Sequence, residues 1–389
     1  MRMVAQHGHT LMNDQQWQRL ASWLGRLPRD QIEQDAELLI LEAWLKIVSA
    51  GGSDLSTLET YTQTIKILCE SLPAAAATRV TQIKGHLSAL RAIQCYLQAD
   101  GENARKHARA ACENIPLQHK RARVSVHIFQ AGAYQMVGDL ETGLPIYLDE
   151  IKKSARHDNR YLSLYQAYLC FIYWMDADLN ALLLNIESPL KRRDDGGLPG
   201  TAGISRYFQG IACYHQNKLQ KAEEALAAIG KDFYFVNPVV YAHSAVALAL
   251  VYQAGGSGHR ARKVCKEVVA LATENNHQDA LLIMQAFEAE QALRRGYLAV
   301  ASAWARTFMA KSFLPPTHFY WPILTLIKIR LAEDTADSQQ QAADLLDELD
   351  DFLASIHNHQ FRIHVLALQA MRYDTLGERP VALEKLATA

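Results

Sequence analysis

The sequence predicts an all-α protein, an array of about eight to nine helical hairpins. Two observations carry that prediction: a block of similar residues returns about every forty positions, and apolar residues recur at helical rather than strand spacing. A chain of 389 residues has room for such an array. Hydrophobic residues make up 49% and charged residues 21%, a balance that folds rather than stays disordered. Lys and Arg number 40 against 41 Asp and Glu, for a net charge of −1, so the surface lacks the basic excess that direct nucleic-acid binding requires.

The repeat is visible in four aligned blocks: Ala131 to Gly143, Gly210 to Ala222, Ala249 to Ala261 and Ala370 to Ala382. Each opens on a small residue, continues through an aromatic and a turn, and closes on a small residue twelve positions later. The closing positions are Ala104, Gly143, Leu182, Ala222, Ala261, Ala301, Ala342 and Ala382, with spacings of 39, 39, 40, 39, 40, 41 and 40. The opening positions are Ala92, Ala131, Cys170, Gly210, Ala249, Ala289, Arg330 and Ala370, of which only Arg330 is large. Small residues on either side of a tight turn let two antiparallel helices approach closely, and Tyr134, Tyr173, Tyr252 and Tyr373 fill the space beside that contact. Gly138-Asp139, Asn217-Lys218, Gly255 to Gly258, Gly296 and Gly377 supply the turns, because these residues tolerate the positive φ of a helix C-cap.

Helices are expected over Glu33 to Val48, Ile65 to Leu68, Ile83 to Leu97, Tyr161 to Met175, Val239 to Tyr252, Leu281 to Leu293, Ile323 to Leu331 and Ile363 to Met371. Pro28, Pro73, Pro116, Pro189, Pro199, Pro238 and Pro315-Pro316 fall at the joints between them. One array over residues 1–389 divides into N-terminal hairpins (14–100), middle repeats (101–193), a glycine- and proline-rich surface loop (194–203) and C-terminal repeats (204–389). The loop sits in the stretch Lys191 to Gly203, which has four glycines, and is the expected place for the array to bend. The chain stops at Glu384 to Ala389, inside the second helix of the last hairpin, which is expected of a fragment.

The six cysteines are separated by at least 16 intervening residues, so no C-x-x-C metal or redox pair exists and buried thiols in a reducing cytoplasm are expected. The most apolar stretch, Val239 to Tyr252, is too short to span a bilayer, and Met1 to Thr10 lacks the apolar block of a signal peptide. No membrane association is expected. His357, His359 and His364, and His7 with His9, have no placed carboxylate or cysteine and are read as packed or solvated, so no metal is assigned. Asp344 to Asp351 alternates with leucines as the wet face of an amphipathic helix. With no G-x-S-x-G elbow and no phosphate-binding G-x-x-x-x-G-K-[ST] loop, neither an enzyme nor a cofactor is expected.

The Gly210 to Ala222 block resembles a tetratricopeptide repeat, but the period is 39 to 41 residues rather than the usual 34 of that repeat. Lengthened repeats of this kind resemble the sensor domain of the MalT-like, ATP-dependent LuxR-family transcription regulators. Gln16 to Pro28, with Trp17, Trp23, Leu24 and Leu27, followed by Glu37 to Trp44, is similar to that family's Trp-Leu-Leu-Pro lead-in. Ala301 to Ala305, Tyr320 to Ala332 and Leu366 to Ala370 are similar to its later repeats. The resemblance implies a right-handed superhelix of tetratricopeptide-like hairpins. It also implies a bacterial regulator in which this array lies between an NTPase domain and a DNA-binding helix-turn-helix domain, both absent from this chain.

In helical-hairpin solenoids the first helices line the concave face. Counted back from each closing residue, the inward positions include His86, Tyr96, Gln135, Trp174, Tyr207, Tyr214, His215, His243, Gln253, Glu290, Arg294 and His364. Of these, Trp174, Tyr207, Tyr214, His215, His243, Gln253, Glu290 and Arg294 are the candidate ligand contacts, aromatic wall and polar groups together, for a small-molecule or peptide effector or a regulatory protein. Replacing Trp174 and Arg294 by alanine is expected to abolish the response while the domain stays folded. The alternative is a stand-alone scaffold that binds peptide segments of partner proteins.

Overall fold

The computed structural model describes residues 2–50, 55–157, 159–187, 200–309 and 315–389. They contain 22 α-helices and no strand, and among them no helix is long and apolar enough to cross a membrane. The chain forms two compact units, Met1–Lys152 and Lys153–Ala389.

The first unit contains α1 (Arg2–Asn13), α2 (Trp17–Leu24), α3 (Arg29–Glu33), α4 (Ala36–Ala50), α5 (Leu55–Glu70), α6 (Ala77–Leu97), α7 (Gly101–Asn114), α8 (Lys120–Met136) and most of α9 (Leu140–His157). Pro28 and Pro73 stand at helix starts, as the sequence predicts. Helices α4, α6 and α8 contact one another in turn, each with its hairpin partner outside, and α1 packs on α4 and α8. Trp44, Leu20, Leu38, Leu90 and Ile93 form the core of this unit.

The second unit contains α10 (Leu162–Met175), α11 (Leu179–Glu187), α12 (Thr201–His215), α13 (Leu219–Ala227), α14 (Asp232–Val236), α15 (Pro238–Ala254), α16 (Gly258–Glu274), α17 (Gln278–Arg294), α18 (Leu298–Thr307), α19 (Pro322–Glu333), α20 (Ala336–Ser355), α21 (His359–Thr375) and α22 (Arg379–Thr388). Contacts run from α10 to α12, α15, α17, α19 and α21 in order, and α21 reaches back to α10. The first helices of the hairpins therefore close a ring. This explains why α10 and α15 are apolar on nearly every side, since each is packed between an outer helix and the ring interior. The outer α16 instead buries a single stripe, Ala261, Cys265, Val268 and Ala272.

The hairpin turn obeys one rule. A residue with positive φ stands five positions before the closing small residue in seven of the eight repeats: Ala99, Gly138, Ala177, Asn217, Gly256, Gly296 and Gly377. The N–H of the residue after it bonds back to a carbonyl five residues earlier, as in Asp139 to Tyr134, Asp178 to Tyr173 and Lys218 to Cys213, which closes a Schellman motif. All eight closing residues are buried, and so is every opening residue except Arg330. The same repeat is the one whose left-handed residue slips, to Asp334, and there a Thr335–Ser338 capping box starts the 20-residue α20. At Gly143 and Gly210 the approach is close: an added Cβ would lie 2.3 Å from Tyr134 Cβ and 2.3 Å from Leu226 Cγ respectively.

Two sequence expectations change here. Of the loop assigned to 194–203, residues 194–199 lie outside the described residues, as do Pro189 and Pro199, and the loop ends sooner than expected. Gly200, at φ 88°, precedes α12, and Thr201 to Gly203 are its first turn because Gly203 has no side chain to strike Phe233. Asp344 to Asp351 lies on α20 as a wet face, yet it is not merely solvated: Asp350 accepts from Arg362 Nε at 2.7 Å and Asp347 from Gln369 at 3.0 Å. Four of the six free cysteines are buried and two half-buried, and burial pushes the Cys112 and Cys265 thiols up to about 11 and about 12.

Ala177 carries a Cβ, at φ 60°, where four other repeats have Gly138, Gly256, Gly296 and Gly377. Ala177→Gly is expected to raise the urea midpoint, stabilising the chain by about 1 kcal/mol. Gly210→Ala should lower it by about 1–3 kcal/mol through overpacking against Leu226.

Candidate functional site

The interior of the second unit's ring is not open. The irregular segment 315–321, which leads into α19, packs against α10, α12, α15, α17 and α21. Its backbone is held by side chains: the Phe319 N–H donates to the Tyr207 hydroxyl (2.7 Å), the Tyr320 N–H donates to His243 Nδ1 (3.3 Å), and Asn358 Nδ2 donates to the Pro316 carbonyl (2.7 Å). His318 stacks on His243 at 4.9 Å and 7°, with the edge of Phe171 at 5.5 Å. Phe319 sits among Trp174, Tyr214 and His215, at centroid distances of 6.4, 5.8 and 5.7 Å. Tyr320 meets Phe287 edge-on at 5.7 Å, and Trp321 meets Phe361 at 5.5 Å.

A polar network continues from Tyr320. Its hydroxyl hydrogen-bonds to that of Thr325, which donates to Glu290 Oε2 at 3.0 Å. Glu290 Oε1 receives Lys328 Nζ at 3.0 Å and Arg294 at 2.6 Å. Burial pushes the Glu290 carboxyl up, but Lys328 and Arg294 outweigh it and hold it down at about 2. The carboxylate is thus charged, 3% exposed and fully partnered, while Arg294 stays half in solvent.

Most of the eight candidate residues meet at this segment. Trp174, Tyr207 and His243 are buried against it, Tyr214 is half-buried and His215 keeps an open surface, so His215 and Arg294 mark the solvent side. Glu290 joins through Thr325. Gln253 does not join; its side chain donates to Gln291 at 2.7 Å. The contact with 315–321 was not legible in the repeat pattern, since Phe319 and Tyr207 are 112 residues apart. The depth of Trp174, 1% exposed, also corrects an expectation, because truncating it to alanine would cost about 3–5 kcal/mol and confound any binding result. Its indole N–H is buried with no hydrogen-bond partner among the described residues.

A family model for the MalT-like TPR region matches residues 85–389. The chain belongs to that family. The match begins at Gly85, so the lead-in over Gln16 to Trp44 lies outside it. No curated protein matches the chain significantly. Among solved structures, a Rap protein complexed with Competence and Sporulation Factor superimposes with a TM-score of 0.54 at 11% identity, covering 100% of this chain and 95% of its own, a likeness of fold.

The first unit also holds a histidine cluster that the repeat pattern does not bring together. In the first unit His9, His86 and His119 come from α1, α6 and the residue before α8, and their ring nitrogens lie within 4.8 Å of one another. Trp44 Nε1 can only donate, and it bonds His86 Nδ1 at 3.2 Å, so the His86 proton is on Nε2 and is given to His119 Nδ1 at 2.9 Å. His9 stacks on His119 at 3.7 Å and 17°, and on His86 at 4.6 Å and 19°. Nearly parallel ring planes keep the lone pairs of stacked rings from converging on one point, so this packing suits neutral imidazoles rather than a shared metal. Burial keeps all three neutral, lowering His86 to about 3 and His119 to about 4. Only His86 stood among the inward positions; helices 33 and more residues apart leave no local spacing to detect.

Burial likewise lowers His318 to about 4, and His243 further. A histidine whose folded pKa lies below its unfolded 6.5 contributes full stability above pH 6.5 and loses it as pH falls toward the folded value. Urea midpoints are therefore expected to fall steadily between pH 6.5 and about 4, and less steeply in His86→Gln and His318→Gln variants. Glu290→Gln is expected to cost about 2 kcal/mol, because two cations and the Thr325 hydroxyl lose their charged acceptor; thermal denaturation of the variant measures it.

Proposed function

We propose that this chain is the signal-binding segment of a MalT-like regulator, in which an effector or partner protein engages the ring of the second unit. Binding there would be coupled to NTPase and helix-turn-helix domains elsewhere in a parent chain. The observation that supports it is the chemistry of the ring wall: aromatic side chains and side-chain acceptors from several repeats converge on one irregular segment, as the contacts of a recognition site do. The fold argues for the same use, since the similar Rap protein is complexed with Competence and Sporulation Factor. An effector shifts such a module only if it binds one arrangement better than another. No catalytic role is part of this reading, and the chain is proposed to work in the cytoplasm.

Thermal-shift screening of the chain against sugars, aromatic metabolites and peptides tests it. A ligand that raises Tm by several degrees is expected, with the rise lost in His215→Ala/Arg294→Ala, whose side chains are open to solvent and can be removed without emptying the core. A shift untouched by that double variant takes the ring out of consideration. Reading the coding DNA beyond both edges is expected to reveal a phosphate-binding loop on one side and a helix-turn-helix on the other.

A further inference from the structure

Resting on that reading, and narrowing its ligand class, we propose that the ring of the second unit is a channel for a peptide bearing two consecutive aromatic residues. His318-Phe319-Tyr320 occupies the channel as an internal surrogate of that peptide.

Three features carry the assignment. The first is how the backbone is read. Two successive N–H groups are taken by side chains from two different repeats, Tyr207 on α12 and His243 on α15. Acceptors placed to meet two successive main-chain donors recognise a peptide backbone whatever its side chains. The second is that each surrogate side chain has its own subsite: Phe319 among Trp174, Tyr214 and His215, and Tyr320 on Phe287 with its hydroxyl entering the Thr325–Glu290 pair. A free peptide with an aromatic pair would find the same walls and the same polar end point.

The third feature is an imperfection. The surrogate leaves the indole N–H of Trp174, whose ring centroid is 6.4 Å from that of Phe319, buried and without a hydrogen-bond partner among the described residues. Burying a donor without an acceptor is unfavourable, and a ligand that places a carbonyl there repairs it. The surrogate also keeps a partly open surface at His318, Phe319 and Tyr320, so the channel is filled without being sealed. Held by the chain itself, the surrogate acts at a high effective concentration, and an incoming peptide meets a site that is free only a fraction of the time.

The test uses a fluorescein-labelled, acetylated Thr-His-Phe-Tyr-Trp peptide and the full 389-residue chain, read by anisotropy. The opened variant Phe319→Ser/Tyr320→Ser is expected to bind the peptide at least tenfold more tightly than the wild type. Adding Tyr207→Phe, which removes one hydroxyl and keeps the ring, or Trp174→Phe, which replaces the indole and its N–H by a phenyl ring, should weaken that binding several-fold. Should the opened variant bind no better than wild type while retaining its helical circular dichroism, or bind equally with both ring substitutions in place, the proposal is overturned. If the opened variant fails to fold, hydrogen exchange on the wild type decides. Excess peptide should speed exchange of the Phe319 and Tyr320 amides relative to those of α15, and unchanged rates refute the surrogate. An effector found by thermal shift that leaves these two amides untouched would sink the peptide channel alone and leave the regulatory reading standing.

Discussion

Everything in this molecule hangs on the close contact of two helices across a tight turn. That contact needs a small residue twelve positions before another and a left-handed residue five before the second, and both conditions return through the array. Nothing larger fits where Gly143 meets Tyr134 or Gly210 meets Leu226. Once the hairpins are that tight, their first helices approach one another in sequence, and in the second unit six of them come round into a ring. The one repeat that departs, with Arg330 at the opening position and Asp334 in the turn, follows directly on the segment that fills the ring. There the chain leaves the hairpin pattern, passes through the interior and resumes at Pro322.

A ring of helices creates an interior that must be either wet or filled. Aromatic side chains line it, so leaving it wet would expose apolar surface at roughly 25 cal/mol per Å². Segment 315–321 fills it, and its own backbone donors are satisfied by Tyr207 and His243 rather than abandoned. The same surroundings account for the electrostatics. Imidazoles crowded by protein atoms stay neutral at His243 and His318, while Glu290 stays charged because Lys328 and Arg294 stand against it. The first unit resolves a similar problem with neutral rings alone, Trp44 setting the tautomer of His86 and His86 that of His119.

The repeat period, the all-α class, the helix boundaries at Pro28, Pro73 and Pro238 and the buried small positions were legible in the sequence, because each rests on residues within one hairpin. So was the inward face, which is why Trp174, Tyr207, Tyr214, His215 and His243 fall together around one point. Gln253 stands apart from that point, its side chain donating to Gln291 one repeat onward. What occupies the ring was decided only by tertiary structure. Phe319 and Tyr207 are 112 residues apart, Tyr320 and His243 77, and His9 and His119 come together from separate helices. A period fixes which way a side chain faces; whether it faces water, a ligand or another stretch of the same chain depends on how far the helices turn, and that is settled by packing summed over many repeats.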